Sequence, residues 1–184
     1  MKRLFDCLAA GIGLLLVSPV LLAVAVAIRL DSPGPVLFRQ KRVGRDERIF
    51  EILKFRSMVV DAPRLGSHST AANDPRITRV GRFIRRTSLD ELPQLINVLK
   101  GDMSLVGPRP MVPQQQQDYS PEAWKKRHRV RPGVTGLAQS TLRSMATPEQ
   151  KIALDLEYVD KASLAFDLKL MLGTVRQVIF RGGN

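Results

Sequence analysis

A chain of 184 residues, 44% of them hydrophobic, is long enough to bury one sizeable core and too apolar to be a disordered segment. Its formal net charge of +12 restricts its partners to anionic ones, whether nucleic acid, a lipid surface or phosphorylated substrates. The single cysteine, Cys7, excludes an internal disulfide framework and suits a reducing compartment, where it serves as a small hydrophobe.

Residues 7–28 are almost uninterruptedly apolar, with Lys2, Arg3 and Asp6 before them and Arg29 and Asp31 after. About 20 residues rising about 1.5 Å each just cross a hydrocarbon layer of about 30 Å, so a membrane helix is predicted. A secretory signal would have a shorter apolar run with its cleavage site beyond it. Ser18 and Pro19 lie at the middle. The proline removes a backbone hydrogen bond, and the serine hydroxyl can satisfy the carbonyl so freed. Basic residues at both ends favour both ends lying on the cytoplasmic side. Two topologies stay open on these letters: a spanning helix kinked at Pro19, and a re-entrant hairpin returning to the face it entered.

Residues 36–43 and 48–58 form two alternating runs separated by Gly44-Arg45-Asp46, which predicts a β-hairpin. Lys54 and Arg56 alternate with Leu53 and Phe55, and period-two spacing puts the two cations on one face. A solvated strand face is the commoner account of such a pair, ahead of a binding face. Residues 61–78 are rich in turn formers without a period and predict a long loop, a lid or a partner surface. Their His68 has no second ligand at metal spacing. Residues 77–87, ITRVGRFIRRT, predict an amphipathic basic helix, suited either to an anionic membrane surface or to a core with its arginines in solvent.

Residues 87–110, TSLDELPQLINVLKGDMSLVGPRP, organise the chain. The adjacent carboxylates Asp90 and Glu91 stand between Arg82, Arg85 and Arg86 on one side and Pro108-Arg109-Pro110 on the other. Carboxylates bracketed by arginines suggest a phosphate site, because a guanidinium fork binds phosphate oxygens bidentately. The apolar run through Leu95, Ile96, Val98 and Leu99 predicts a short helix with the carboxylates at its N-terminus. Ser88 and Glu91 also match a capping box, but Pro93 would then be the fifth helical residue and delete a bond, whereas with Asp90 as cap it would be the third. On the letters alone, capping by Asp90 and phosphate chemistry stand level.

Ser120-Pro121-Glu122 is a helix start. Trp124 with Lys125, Lys126, Arg127 and Arg129 has the composition of an interfacial anchor, and a nucleic-acid patch would use the same letters. Residues 131–139, RPGVTGLAQ, read as a Pro/Gly turn. Thr147-x-x-Gln150 is a capping box opening a helix to about Asp160, and residues 164–180 predict a final helix. The sequence holds no internal repeat, no Walker loop and no metal-spaced Cys or His cluster.

The Ser-Pro pair within the apolar segment, KFRSM, the Asp-Glu-Leu-Pro-Gln-Leu string, GDMSLVGPRP and GVTGLAQ occur in that order over nearly the whole chain. In these motifs the chain resembles the bacterial sugar transferase family, the small monotopic phosphoglycosyl transferases. The resemblance implies an α+β fold, mainly helical, with a re-entrant membrane helix over residues 1–30 broken at Ser18 and Pro19. It implies a cytoplasmic, membrane-associated catalytic domain over residues 31–184, with amphipathic interfacial helices and a small β-hairpin, at the bacterial inner membrane. The implied activity is transfer of a phosphosugar from a UDP-sugar to polyprenol phosphate, releasing UMP, as the first step of a glycoconjugate pathway. In that activity Asp90 would be the nucleophile and a ligand of Mg2+, and Glu91 would handle the acceptor's proton. Arg85 and Arg109 would bind phosphate, with Lys54, Arg56 and Gln139 as further substrate contacts. The implied partners are the UDP-sugar, polyprenol phosphate and membrane lipid, not nucleic acid; a homodimer stays open, and the sugar is not read. The alternative is a membrane-anchored basic module that binds nucleic acid or anionic lipid without catalysis, for which 5% aromatic residues are few.

Overall fold

The computed structural model describes residues 1–65, 74–141 and 147–181. Helix α1 (Lys2–Asp31) runs unbroken for 30 residues with Pro19 inside it. At about 1.5 Å per residue it is about 45 Å long, enough to cross a membrane. Pro19 has no N–H for the carbonyl four residues back, that of Leu15, and the Ser18 hydroxyl donates to that same oxygen at 2.8 Å. Leu4, Leu8, Ile12, Leu15, Leu22 and Val26 are exposed at helical spacing and make one apolar stripe, while Asp6, Ala10, Val24 and Ile28 are buried.

Both ends of α1 are tied to the rest of the chain. Near its start, Asp6 accepts from the Ser104 hydroxyl at 2.9 Å and from the Leu105 amide at 3.2 Å, and Lys2 pairs with Asp167. At its end, Asp31 accepts from the Val80 amide at 3.0 Å and Arg29 donates to the Gly34 carbonyl at 2.7 Å.

The predicted hairpin forms from β1 (Leu37–Val43) and β2 (Ile49–Phe55), antiparallel, with Leu37 opposite Phe55 and Val43 opposite Ile49. A two-stranded hairpin leaves its outer edges unpaired, and here one edge of β2 is closed by a side chain. The Asn97 amide accepts from the Leu53 N–H at 2.9 Å and donates to the Glu51 carbonyl at 2.7 Å. Asn97 lies in α4 (Gln94–Lys100), which follows α2 (Ala62–Leu65) and α3 (Arg79–Arg86). Helix α4 ends at Gly101, whose φ of 94° is the left-handed cap that glycine adopts without strain.

After α4 come β3 (Ser104–Val106), α5 (Pro121–Arg127), β4 (Gly133–Thr135), α6 (Leu137–Thr141), α7 (Pro148–Lys161) and α8 (Leu164–Arg181). Strands β3 and β4 pair in parallel, Ser104 opposite Gly133 and Val106 opposite Thr135. A side chain on Gly107 or Gly133 would run into the facing backbone, so glycine at these two places permits the approach. The capping box of α7 forms in both directions between Thr147 and Gln150.

The core has two clusters, and α1 contributes to both. Ala10 joins Ile52, Val98, Met103, Val106 and Tyr158 in the first; Val24 and Ile28 join Phe55 and Ile84 in the second. The expected α+β, mainly helical fold with a small hairpin is the one observed. Trp124 corrects the interfacial-anchor expectation. It is 3% exposed, donates to Glu47 at 3.2 Å and packs against Tyr119 and His128, because α5 turns its tryptophan face inward and leaves Lys125 and Arg129 outside. The centre of the predicted 61–78 loop, with His68, lies outside the described residues. Its flanks are joined where the Val59 amide donates to the Arg76 carbonyl at 2.9 Å.

Replacing Asn97 by alanine leaves the buried Leu53 N–H and the partly buried Glu51 carbonyl of β2 without the partner they share. The expected loss is about 2–4 kcal/mol of stability, read as a lower unfolding midpoint of the detergent-solubilised protein. An unchanged midpoint would show that the β2 edge needs no partner.

Candidate active site

Two residues after α3 ends, Ser88 adopts φ 58°, a left-handed conformation that costs a non-glycine residue about 1 kcal/mol. That turn redirects the chain into a 3-10 turn, Leu89–Glu91, which carries both carboxylates. Neither capping reading survives: Ser88 makes no side-chain cap, and α4 begins only after Pro93.

Glu91 is the hub. Its Oε1 accepts from Lys54 Nζ and from Arg109 Nη2, each at 2.7 Å. Burial works to raise its pKa, but the charges of Arg109 and Lys54 outweigh burial and hold Glu91 down at about 2. Asp90 goes the other way. Burial first, then the negative charge of Glu91, push it up to about 6, against the pull of Lys54, Arg85 and Arg109. Neighbouring carboxylates with pKa values driven apart are suited to different roles. Asp90 has no hydrogen-bond partner among the described residues, so its oxygens are free to meet a substrate or a cation.

The sequence-predicted residues divide. Lys54, Arg109, Asp90 and Glu91 converge directly, and Arg85, in the last turn of α3, acts on Asp90 through its charge. Gln139 reaches the same cleft from α6, with both polar atoms of its amide buried and unpartnered. Arg56 does not join them. It lies one residue past the end of β2, 5% exposed, and its guanidinium is taken up by the carbonyls of Ser32 and Pro33.

Arg109 is held by its backbone. Pro108 and Pro110 lack N–H groups and the segment builds no ladder of its own, so its carbonyls must find donors elsewhere. Four in a row do so: Pro108 from the Gly133 amide at 3.0 Å, Arg109 from Arg127 at 2.5 Å, Pro110 from Arg42 at 2.9 Å and Met111 from the Val43 amide at 2.9 Å. Arg127 is itself fixed by a buried pair with Asp155, Nε to Oδ2 at 2.8 Å. Arg42 and Asp155 were not singled out from the sequence, and Arg127 was read only as one cation of a basic cluster; among so many charges nothing local marks which are buried.

The cleft above these groups has a volume of about 830 Å³. Glu91, Arg109, Arg42 and Gln139 line it, and Val17 of α1 lines it too, so the apolar helix forms part of its wall. Oxygen donors at one free carboxylate suit a magnesium ion, which takes one or two protein carboxylates and fills its shell with water and substrate phosphate. Asp90 fits that role. Glu91 fits it less well, since one of its oxygens already serves two cations.

The family model for bacterial sugar transferases matches residues 1–181. The undecaprenyl-phosphate glucose phosphotransferase of Komagataeibacter xylinus is 47% identical over 97% of this chain, and the match covers 36% of that protein. The UDP-glucose:undecaprenyl-phosphate glucose-1-phosphate transferase of Escherichia coli K12 is 47% identical over 95% of this chain and 39% of its own length. The chain thus spans little more than a third of these two relatives. The exopolysaccharide production protein PSS of Rhizobium leguminosarum is 44% identical over 99% of this chain and is covered over 96% of its length. With the family model matched from end to end of the site just described, the chain belongs to the bacterial sugar transferase family.

Proposed function

We propose that the protein transfers a sugar 1-phosphate from a UDP-sugar to polyprenol phosphate at a membrane. The observation that carries this reading is the carboxylate pair: Glu91, ion-paired, held near 2 and lining a cleft walled in part by α1, and next to it in the chain Asp90, unpaired and raised to about 6. Names of the relatives supply the substrate class. In the first half, an Asp90 oxygen attacks the sugar-bearing phosphorus; the bond to the bridging diphosphate oxygen breaks, and UMP leaves with that oxygen. In the second, a phosphate oxygen of the polyprenol phosphate attacks the same phosphorus and Asp90 is released.

The residues divide the work by charge. Arg109 and Arg85 offer guanidinium donors to the phosphate oxygens, and Lys54 adds a third positive charge. A magnesium ion held by Asp90 and substrate oxygens would neutralise charge on the diphosphate. Glu91, with its depressed pKa, is a weak base, and we assign it the orientation of Lys54 and Arg109 rather than the handling of the acceptor's proton. Gln139 presents its unpartnered amide to the substrate within the cleft.

Mixing the protein with UDP-sugar and magnesium, without acceptor, is expected to release UMP and leave a phosphosugar adduct on Asp90 by intact-protein mass spectrometry. Asp90→Asn abolishes both. UMP release that strictly requires the acceptor, with no adduct on any residue, would support direct displacement instead.

The raised pKa of Asp90 makes a second expectation. Attack needs the ionised form, so at limiting magnesium kcat/KM for the UDP-sugar falls about tenfold per pH unit below about 6, and saturating magnesium on Asp90 moves that limb to lower pH. Glu91→Gln removes a negative charge that raises Asp90, and its acid limb moves to lower pH. A limb that stays put or moves up refutes the electrostatic coupling.

We also propose that α1 enters and leaves the membrane on one face, the cytoplasmic side of an inner membrane, with its bend at Ser18 and Pro19. Docking of both ends of α1 on one domain supports this, since Asp6 and Asp31 bind polar groups of the same body. Cysteines placed at residues 2 and 32 are expected to react with a membrane-impermeant reagent from the same side of intact vesicles. Labelling from opposite sides would establish a spanning helix.

A further inference from the structure

Three cations at the cleft and the small cavity beside it have a carboxylate. Lys54 and Arg109 share Glu91, and Arg127 has Asp155. Arg42, on β1, lines the cleft with Glu91 and Arg109 and lines the small cavity adjoining it, yet no carboxylate among the described residues lies within ion-pair distance of it. Its Nη1 donates to the Pro110 carbonyl at 2.9 Å and its Nη2 to the Gln40 side chain at 2.6 Å, while its buried Nε has no partner. A buried donor left unpaired on a charged group is costly and calls for an account.

We propose that Arg42 and Arg109 together form a two-guanidinium subsite for a phosphate group. The proposal rests on the phosphosugar transfer described above and adds to it a residue that binds the anion. The Pro-Arg-Pro backbone supplies the geometry: Arg109 belongs to it, Arg42 is pinned to the next carbonyl, and both residues line the cleft and the small cavity beside it. Burial and the like charge of Arg109 lower the pKa of Arg42 to about 10, so it remains charged at neutral pH. Two like charges that line one cleft repel, and an oxyanion between them relieves both the repulsion and the unpaired Nε.

A merely structural Arg42 would be a strut for the Pro110 carbonyl, a task lysine can also perform. The experiment therefore compares Arg42→Lys and Arg42→Gln with the unaltered protein in lipid nanodiscs. Binding of UMP and of a short-chain isoprenyl phosphate is measured by calorimetry, alongside the unfolding midpoint without ligand. The expected result is a weakening of tenfold or more for at least one of the two phosphates in both variants, with the midpoint of Arg42→Lys close to that of the unaltered protein. Loss confined to UMP assigns the subsite to the nucleotide's phosphate; loss confined to the isoprenyl phosphate assigns it to the acceptor's. Unchanged affinities in Arg42→Lys for both ligands leave Arg42 a strut and overturn the proposal. The Asp90 adduct is scored separately in the same variants, so a failed subsite is distinguished from a failed transfer reaction.

Discussion

A single carboxylate oxygen, Glu91 Oε1, receives Lys54 from 37 residues away and Arg109 from 18 residues away. A hairpin strand, a 3-10 turn and a proline-rich turn meet at that atom. Removing one partner from a buried charged group is strongly destabilising, so the three segments hold one another in place. The same contact sets the chemistry next door. With Glu91 neutralised by two cations it stays ionised at any working pH, and its negative charge helps keep Asp90 from ionising too readily.

Everything around that contact serves to keep its three contributors still. Asn97 clamps the edge of β2 that carries Lys54. Ser88, in its left-handed conformation, turns the chain so that Asp90 and Glu91 follow α3 directly. Arg127 and Arg42 grip the successive carbonyls of Arg109 and Pro110, and Asp155 holds Arg127 from α7. A turn rich in proline is stiff in φ but poor in donors, which is why its order comes from arginines elsewhere in the chain.

How much of this could be read from the letters depended on range. The apolar run of α1, the alternation of the hairpin and the Thr147 capping box are local patterns, and each formed its predicted element. Asp90 and Glu91 stood out because they are adjacent and bracketed by arginines. Lys54 and Arg56 look alike in sequence, yet the strand ends between them, and only Lys54 reaches the carboxylates. Trp124 misled because a tryptophan among cations shows composition and not which face of its helix points inward. Arg42, Asn97 and the Arg127–Asp155 pair carry no period or motif; their roles arise from contacts 28 to 68 residues apart. Strands β3 and β4, three residues each, are too short for alternation to register.

Val17 lies almost at the middle of α1 and also borders the cleft that holds Glu91 and Arg109. With α1 seated in a bilayer, a mismatch between its apolar stripe and the hydrocarbon thickness is met by tilting or bending of the helix, or by deformation of the lipid. Elsewhere such an adjustment would strain only an anchor. Here, if the proposed membrane seating holds, it would move a wall of the cleft, so lipid chain length would become a mechanical variable of the site itself, acting on its shape with no ligand and no change of sequence.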